Sequence, residues 1–165
     1  MISPTNLGSP RDIVIPAAAV DTEEYKISLA AFSAWSTASH SPFLDDPSKS
    51  PLVVMQLCHP GRQSTRGSGR ALNKASKCPS AIALNSNKGF FEKLVGQIMW
   101  GTPDAMTQED IDEVVGGFVK GAKLARESGF DGVQLHCSHG YLLAQFLSPN
   151  VRLSLSLRCD DPDAE

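Results

Sequence analysis

An α/β protein built on a parallel sheet is the fold class this sequence predicts, and three observations lead to it. Residues 52–57 form an almost unbroken apolar run, the mark of a strand covered on both faces. Ile111, Val114, Val115, Phe118, Ala122 and Ala125 recur on one face of a helix. Residues 133–136 (Val-Gln-Leu-His) then follow that helix as a second strand. Strands alternating with amphipathic helices imply either a barrel or an open doubly wound sheet. No Gly-x-Gly-x-x-Gly follows a strand, so the dinucleotide-binding fingerprint is missing.

The elements can be taken in chain order. The first 20 residues, rich in Pro and Gly, read as a loop or an interrupted element. Asp21 offers an N-cap with Glu24 three residues on, opening a helix of about 15 residues. Ile27, Ala30, Ala31, Ala34 and Trp35 make its expected buried face. Ser41-Pro42 and Asp46-Pro47 mark a loop before the strand at 52–57, in which Gln56 is the single polar residue. Residues 61–77 hold Arg62, Arg66, Arg70, Lys74 and Lys77 with no acid and no aromatic residue, which reads as a solvated loop rather than a phosphate or nucleic-acid site. A short helix is expected from Phe90 to Trp100, stopped by Gly101-Thr102-Pro103. Thr107 and Asp110 resemble a capping box at the head of the long helix, and Gly129 closes it. A last short helix is expected from Tyr141 to Phe146.

Composition narrows the class further. With 41% hydrophobic and 20% charged residues, the chain has the apolar content that a disordered chain lacks. Its 15 basic and 18 acidic residues leave a net charge of −3, which gives nucleic acid or an anionic membrane no hold. No stretch approaches the ~20 apolar residues of a spanning helix. The start of the chain shows neither a basic segment nor an apolar core of a secretory signal. Cys58, Cys78, Cys137 and Cys159 are scattered, and read as reduced thiols in a cytoplasmic protein.

Chemistry concentrates at the ends of the two strands. His136, His139 and Tyr141 lie within six residues of one another beyond the second strand. Two imidazoles at that spacing can donate to one oxygen, and a phenol two residues on can deliver a proton. Cys58, His59, His136, Cys137 and His139 are ligand types for zinc, but neither Cys-x-x-Cys nor His-Glu-x-x-His is present, so no metal is expected. His59 and Cys137 read as packed residues.

Residues 129–149 run Gly-Phe-Asp-Gly-Val-Gln-Leu-His-Cys-Ser-His-Gly-Tyr-Leu-Leu-Ala-Gln-Phe-Leu-Ser-Pro. This segment resembles the fourth barrel strand of the old yellow enzyme family, flavin-dependent NADH:flavin oxidoreductases and ene-reductases. The run Gln56-Leu57-Cys58-His59-Pro60-Gly61-Arg62 is similar to the family's third-strand motif, Gln-Leu-x-His-x-Gly-Arg. Met106-Thr107, opening a helix towards Gly-Phe-Asp-Gly, is similar too. The resemblance covers about residue 4 to Asn150 and implies part of a TIM (β/α)8 barrel of the FMN-linked oxidoreductase type. It implies that Gln56 hydrogen-bonds the pyrimidine edge of FMN and that His136 and His139 hold the carbonyl or nitro oxygen of an activated alkene. It implies further that Tyr141 donates the proton to the carbon alpha to that group. NADH or NADPH would be the reductant.

A complete barrel takes roughly 250 residues. The family's first two strands have no counterpart here, and residues 151–165 do not resemble its continuation. The expected division is therefore a partial flavin oxidoreductase barrel at 1–150 and an unrelated tail at 151–165, in a truncated chain of little or no activity. Three classes stand after this reading: a flavin-dependent reductase, a non-catalytic fragment that associates with a partner, and a small metal-binding protein. The resemblance favours the first as the family's activity, with a small-molecule substrate, no nucleic-acid or membrane partner, and oligomerisation possible.

Overall fold

The computed structural model of the chain describes residues 1–3, 5–16, 22–41, 46–84 and 89–151. Helix α1 spans Glu23–His40, strand β1 Val54–Leu57, β2 Lys77–Cys78 and α2 Phe90–Met99. They are followed by β3 Asp104–Ala105, α3 Gln108–Glu127, β4 Gly132–Leu135 and α4 Leu142–Leu147. β1 and β4 pair in parallel with Gln56 opposite Gln134, and β2 pairs in parallel with β3. The α/β class and the parallel pairing agree with the sequence reading. The β2–β3 pair has no counterpart in that reading, since two residues carry no periodicity.

α3 packs against both long strands and against α1. Leu124 and Ala125 of α3 meet Met55 and Leu57 of β1, Tyr25 and Phe32 of α1, and Ile2, Ile15 and Phe130 in one core. A Cβ on Gly121 would stand 3.0 Å from Leu57, so glycine permits the close approach of α3 to β1. The Thr107 hydroxyl accepts the Asp110 N–H while the Asp110 carboxylate accepts the Thr107 N–H, completing the expected capping box. Gly129, at φ 83°, ends the helix as expected.

Several expectations need correction. The cap of α1 is Thr22, whose hydroxyl accepts the Tyr25 N–H, and the helix runs 18 residues; Asp21 lies outside the described residues. Its buried stripe is Tyr25, Phe32 and Ser36, while Ile27 is 70% exposed and Trp35 half exposed. Bulky Tyr25 and Phe32 reach the core, whereas the alanines of the expected face bury little area. β1 is covered on one face only: Met55 and Leu57 are buried, but Val54 is 51% exposed and Gln56 exposed. In α3, Val115 of the expected stripe is likewise exposed.

Residues 61–77 are packed rather than loosely solvated. A 3₁₀ turn spans Gly61–Gln63, and Ser64, Ser68 and Ser76 are buried. Arg62 donates to the carbonyls of Ile82 and Ala83, Arg70 to that of Ser64, and Lys77 pairs with Asp110 at 3.0 Å. Three of the five cations are thus engaged within the protein. Apart from Val151, the tail at 151–165 lies outside the described residues, as does Cys159. No helix among the described residues is long and apolar enough to cross a membrane.

Candidate functional site

Parallel pairing of β1 with β4 brings the two strand ends together, and the chain leaves both on the same side. His136 N–H donates to the Leu57 carbonyl (2.9 Å), which extends the ladder by one residue and places the imidazole at its rim. Beyond it, residues 138–141 form a tight turn closed by the Tyr141 N–H on the Ser138 carbonyl (3.1 Å). Its central residues are both left-handed, His139 at φ 56° and Gly140 at φ 66°. For a residue with a Cβ that conformation costs about 1–2 kcal/mol, so the surroundings must impose it on His139. Tyr141 then serves as N-cap of α4.

The turn folds the chain back so that three rings meet. His139 Nδ1 lies 3.2 Å from His136 Nε2, within one hydrogen bond whose direction the tautomers set. The Tyr141 ring stands edge-on to His136, centroids 4.9 Å apart. Ser138 Oγ is 3.4 Å from the other nitrogen of His136. When both of these nitrogens carry protons they give up the bond between them, and both can donate to one oxygen at the apex of the pair. A cleft of about 560 Å³ is lined by Gln56, Thr65, Trp100, His136, His139 and Tyr141, among others. The four residues singled out from the sequence therefore share one cleft. Gln56 approaches from β1, where its Nε2 donates to Gln134 Oε1 (2.7 Å) on the exposed sheet face.

Gln134, Gln63, Gln145 and Trp100 are absent from the sequence-predicted set. Gln134 carries a legible signal, because each long strand has one amide and the register pairs them. Gln63 and Gln145 carry none, as their partners are remote in sequence. Gln63 Nε2 donates to the carbonyls of His139 (2.7 Å) and Gly140 (2.9 Å). The buried Gln145 amide donates to the carbonyls of Gly140 (2.6 Å) and Pro60 (3.1 Å). Trp100 Nε1 donates to the Gln63 carbonyl at 3.0 Å.

His59 packs as the sequence reading prefers, whereas Cys137, expected to pack as well, is exposed at the strand end. His59 is 2% exposed, and Gly61 N–H donates to its Nδ1 (3.1 Å). Burial, and next the positive chain terminus, push its pKa down to about 4, so the ring is neutral. Among the described residues no three His, Cys, Asp or Glu side chains gather to hold a metal ion.

A family model described as NADH:flavin oxidoreductase / NADH oxidase matches residues 27–161. An NADH-dependent flavin oxidoreductase (iliE) of Neonectria sp. is 52% identical over 98 residues, which are 59% of this chain and 13% of that protein. The NADH-dependent flavin oxidoreductase iccE of Talaromyces variabilis is 48% identical over 97 residues, 58% of this chain and 23% of the relative. An NADPH dehydrogenase of Halalkalibacterium halodurans is 37% identical over 97 residues, 59% of this chain and 23% of the relative. The chain thus spans less than a quarter of each of these three relatives. The solved structure of the old yellow enzyme homologue of Zymomonas mobilis superposes with a TM-score of 0.65 at 22% identity. It covers 92% of this chain and 37% of that one, and it decides between the two sheet architectures: the fold is part of a TIM barrel.

Proposed function

Because the chain belongs to the NADH:flavin oxidoreductase / NADH oxidase family, we propose that its cleft is the substrate and flavin site of an FMN-dependent NAD(P)H oxidoreductase acting on activated alkenes. The observation that carries this reading is the meeting of His136, His139 and Tyr141 in one cleft with Gln56. Barrel enzymes place their chemistry at the C-terminal ends of strands, where all four residues stand.

The residues present fit a flavin ring in kind. Gln56 and Gln134 form an amide pair on the open sheet face, offering the donors and acceptors that a pyrimidine edge requires. FMN, when bound, supplies hydride chemistry driven by NADH or NADPH, while the protein supplies orientation and electrostatics. His136 and His139 hold the carbonyl or nitro oxygen and draw electron density from the conjugated carbon–carbon bond. The Tyr141 hydroxyl gives its proton to the carbon alpha to that group. Such an enzyme works on small molecules in the cytoplasm, without a nucleic-acid or membrane partner.

A second reading is favoured by one observation. On the β1–β4 pair Val54 is exposed on one face and Val133 and Leu135 on the other, apolar surface suited to association with further barrel segments or a second chain. In that reading the chain is a non-catalytic, partner-binding piece. Expression in flavin-rich medium followed by gel filtration separates the two. A soluble yellow peak with stoichiometric FMN and enone turnover establishes the catalytic reading; a colourless species or aggregate establishes the second. In a yellow protein, replacing His136 and His139 together with Ala should abolish the charge-transfer band that a bound phenol gives, with FMN retained. Undiminished phenol binding would defeat the histidine assignment. Tyr141→Phe should slow reoxidation by an enone roughly 10²-fold or more and spare reduction by NAD(P)H. Equal slowing of both steps would defeat the proton-donor assignment.

A further inference from the structure

We infer that Gln63 is a positioning residue for the histidine pair: its amide imposes the left-handed backbone at His139 that turns this imidazole onto His136. The inference rests on the reading of His139 as a donor to the substrate oxygen. His139 is the only described residue other than glycine with a positive φ. Both carbonyls of its turn, those of His139 and Gly140, point at one group, the Gln63 Nε2, at 2.7 and 2.9 Å.

Gln63 is itself fixed at its backbone. Its N–H donates to the Pro60 carbonyl (3.1 Å) and its carbonyl accepts the Trp100 indole N–H (3.0 Å). Gln145 reaches the same turn, but only at the Gly140 carbonyl. The His139 carbonyl is thus held by Gln63, and it belongs to the peptide that joins the two left-handed residues, so fixing it fixes ψ at His139 and φ at Gly140 while the Ser138 carbonyl on the other side is held by the Tyr141 N–H. A Cβ on Gly140 would lie 3.0 Å from the Gln63 Nε2, so the side chain is seated tightly against the turn. The arrangement also links the Trp100 end of α2 to the histidines through one side chain.

The test uses isotope-labelled full chain and needs neither flavin nor substrate. Gln63→Glu keeps the shape but replaces the donor with a carboxylate facing two carbonyls, and Gln63→Lys keeps donors on a flexible stem. In the unaltered protein His139 should show left-handed backbone carbon shifts and ring-to-ring NOEs to His136. Gln63→Glu should lose both, with the Tyr25–Leu124 core signals unchanged, and Gln63→Lys should retain them. Gln63→Ala, which adds no charge, should also lose them and serves if the Glu variant does not fold. Left-handed shifts and intact ring NOEs in a folded Gln63→Glu or Gln63→Ala chain would overturn the inference. In an FMN-loaded form, phenol binding should weaken by up to roughly 10²-fold in Gln63→Glu at unchanged FMN affinity. A failed functional reading shows as absent phenol binding in every form, whereas a failed positioning role shows as unchanged His139 shifts.

Discussion

Gly61→Ala tests how strongly the first strand end depends on a residue far along the chain. Gly61 sits at φ 58°, and a Cβ there would fall inside the Gln145 amide, 2.6 Å from Nε2 and 2.7 Å from Cδ. The left-handed backbone alone costs an alanine about 1–2 kcal/mol. The larger effect is displacement of Gln145, which is 1% exposed. It donates to the Pro60 and Gly140 carbonyls and accepts from Arg62 N–H and the Cys78 thiol. Leaving one or two of these buried groups unpaired adds about 1–3 kcal/mol each, so we expect a total loss of roughly 2–8 kcal/mol. Against a typical total stability of about 5–15 kcal/mol, that is a severe lesion. Urea unfolding followed by far-ultraviolet circular dichroism measures it, with the slope in denaturant held as the check on two-state behaviour. Gly116→Ala is the control: a Cβ there would meet nothing within 4 Å, so a helical alanine should gain about 0.5–1 kcal/mol. The Gln145→Ala background should relieve part of the Gly61→Ala penalty, giving a coupling of at least ~0.5 kcal/mol. A penalty below about 1 kcal/mol, or strict additivity with Gln145→Ala, would refute the reasoning.

Three further outcomes follow from groups away from the cleft. His40 donates from Nδ1 to the Ser36 carbonyl (2.9 Å) and pairs through Nε2 with Asp131 (2.9 Å), and the Asp131 bond chiefly raises its pKa above the usual histidine value. Its stabilising effect is complete below the unfolded-state pKa and disappears as pH rises through the raised folded value. The urea midpoint of His40→Gln should therefore lag the unaltered protein at about pH 5 and converge with it towards and above pH 8; a pH-independent gap would sink the assignment. Asp131 is held below the usual carboxylate range first by the Val53 N–H (2.7 Å) and then by His40, so its contribution is present above the unfolded value near 3.8 and fails only as pH drops below it. Asp131→Asn should accordingly lose its deficit in strong acid. Tyr25, whose hydroxyl donates to Glu127 at 2.8 Å, is pushed up to about 12 by burial and then by that carboxylate, so its absorbance should not titrate in the ordinary tyrosine range near pH 10 while the chain is folded. A normal phenolate transition of Tyr25, read in a folded Tyr141→Phe chain, would contradict the buried contact.

Local rules settled whatever short spacing governs. The capping box at Thr107 and Asp110, the stop at Gly129 and the two parallel strands were legible because caps, turns and apolar runs act over a few residues. The grouping of His136, His139 and Tyr141 was legible for the same reason, since one strand end and one turn hold all three. The tertiary structure decided which faces are buried. Ile27 and Trp35 fit a helical stripe as well as Tyr25 and Phe32 do, and only the position of α3 selects between them. The almost unbroken apolar run at 52–57 could not reveal that its Val54 face stays open among the described residues, because burial depends on what other segments lie across it. Gln63 and Gln145 were silent for a deeper reason. An amide side chain shows no periodicity, and its role appears only when folding brings it to carbonyls 76 and 85 residues away.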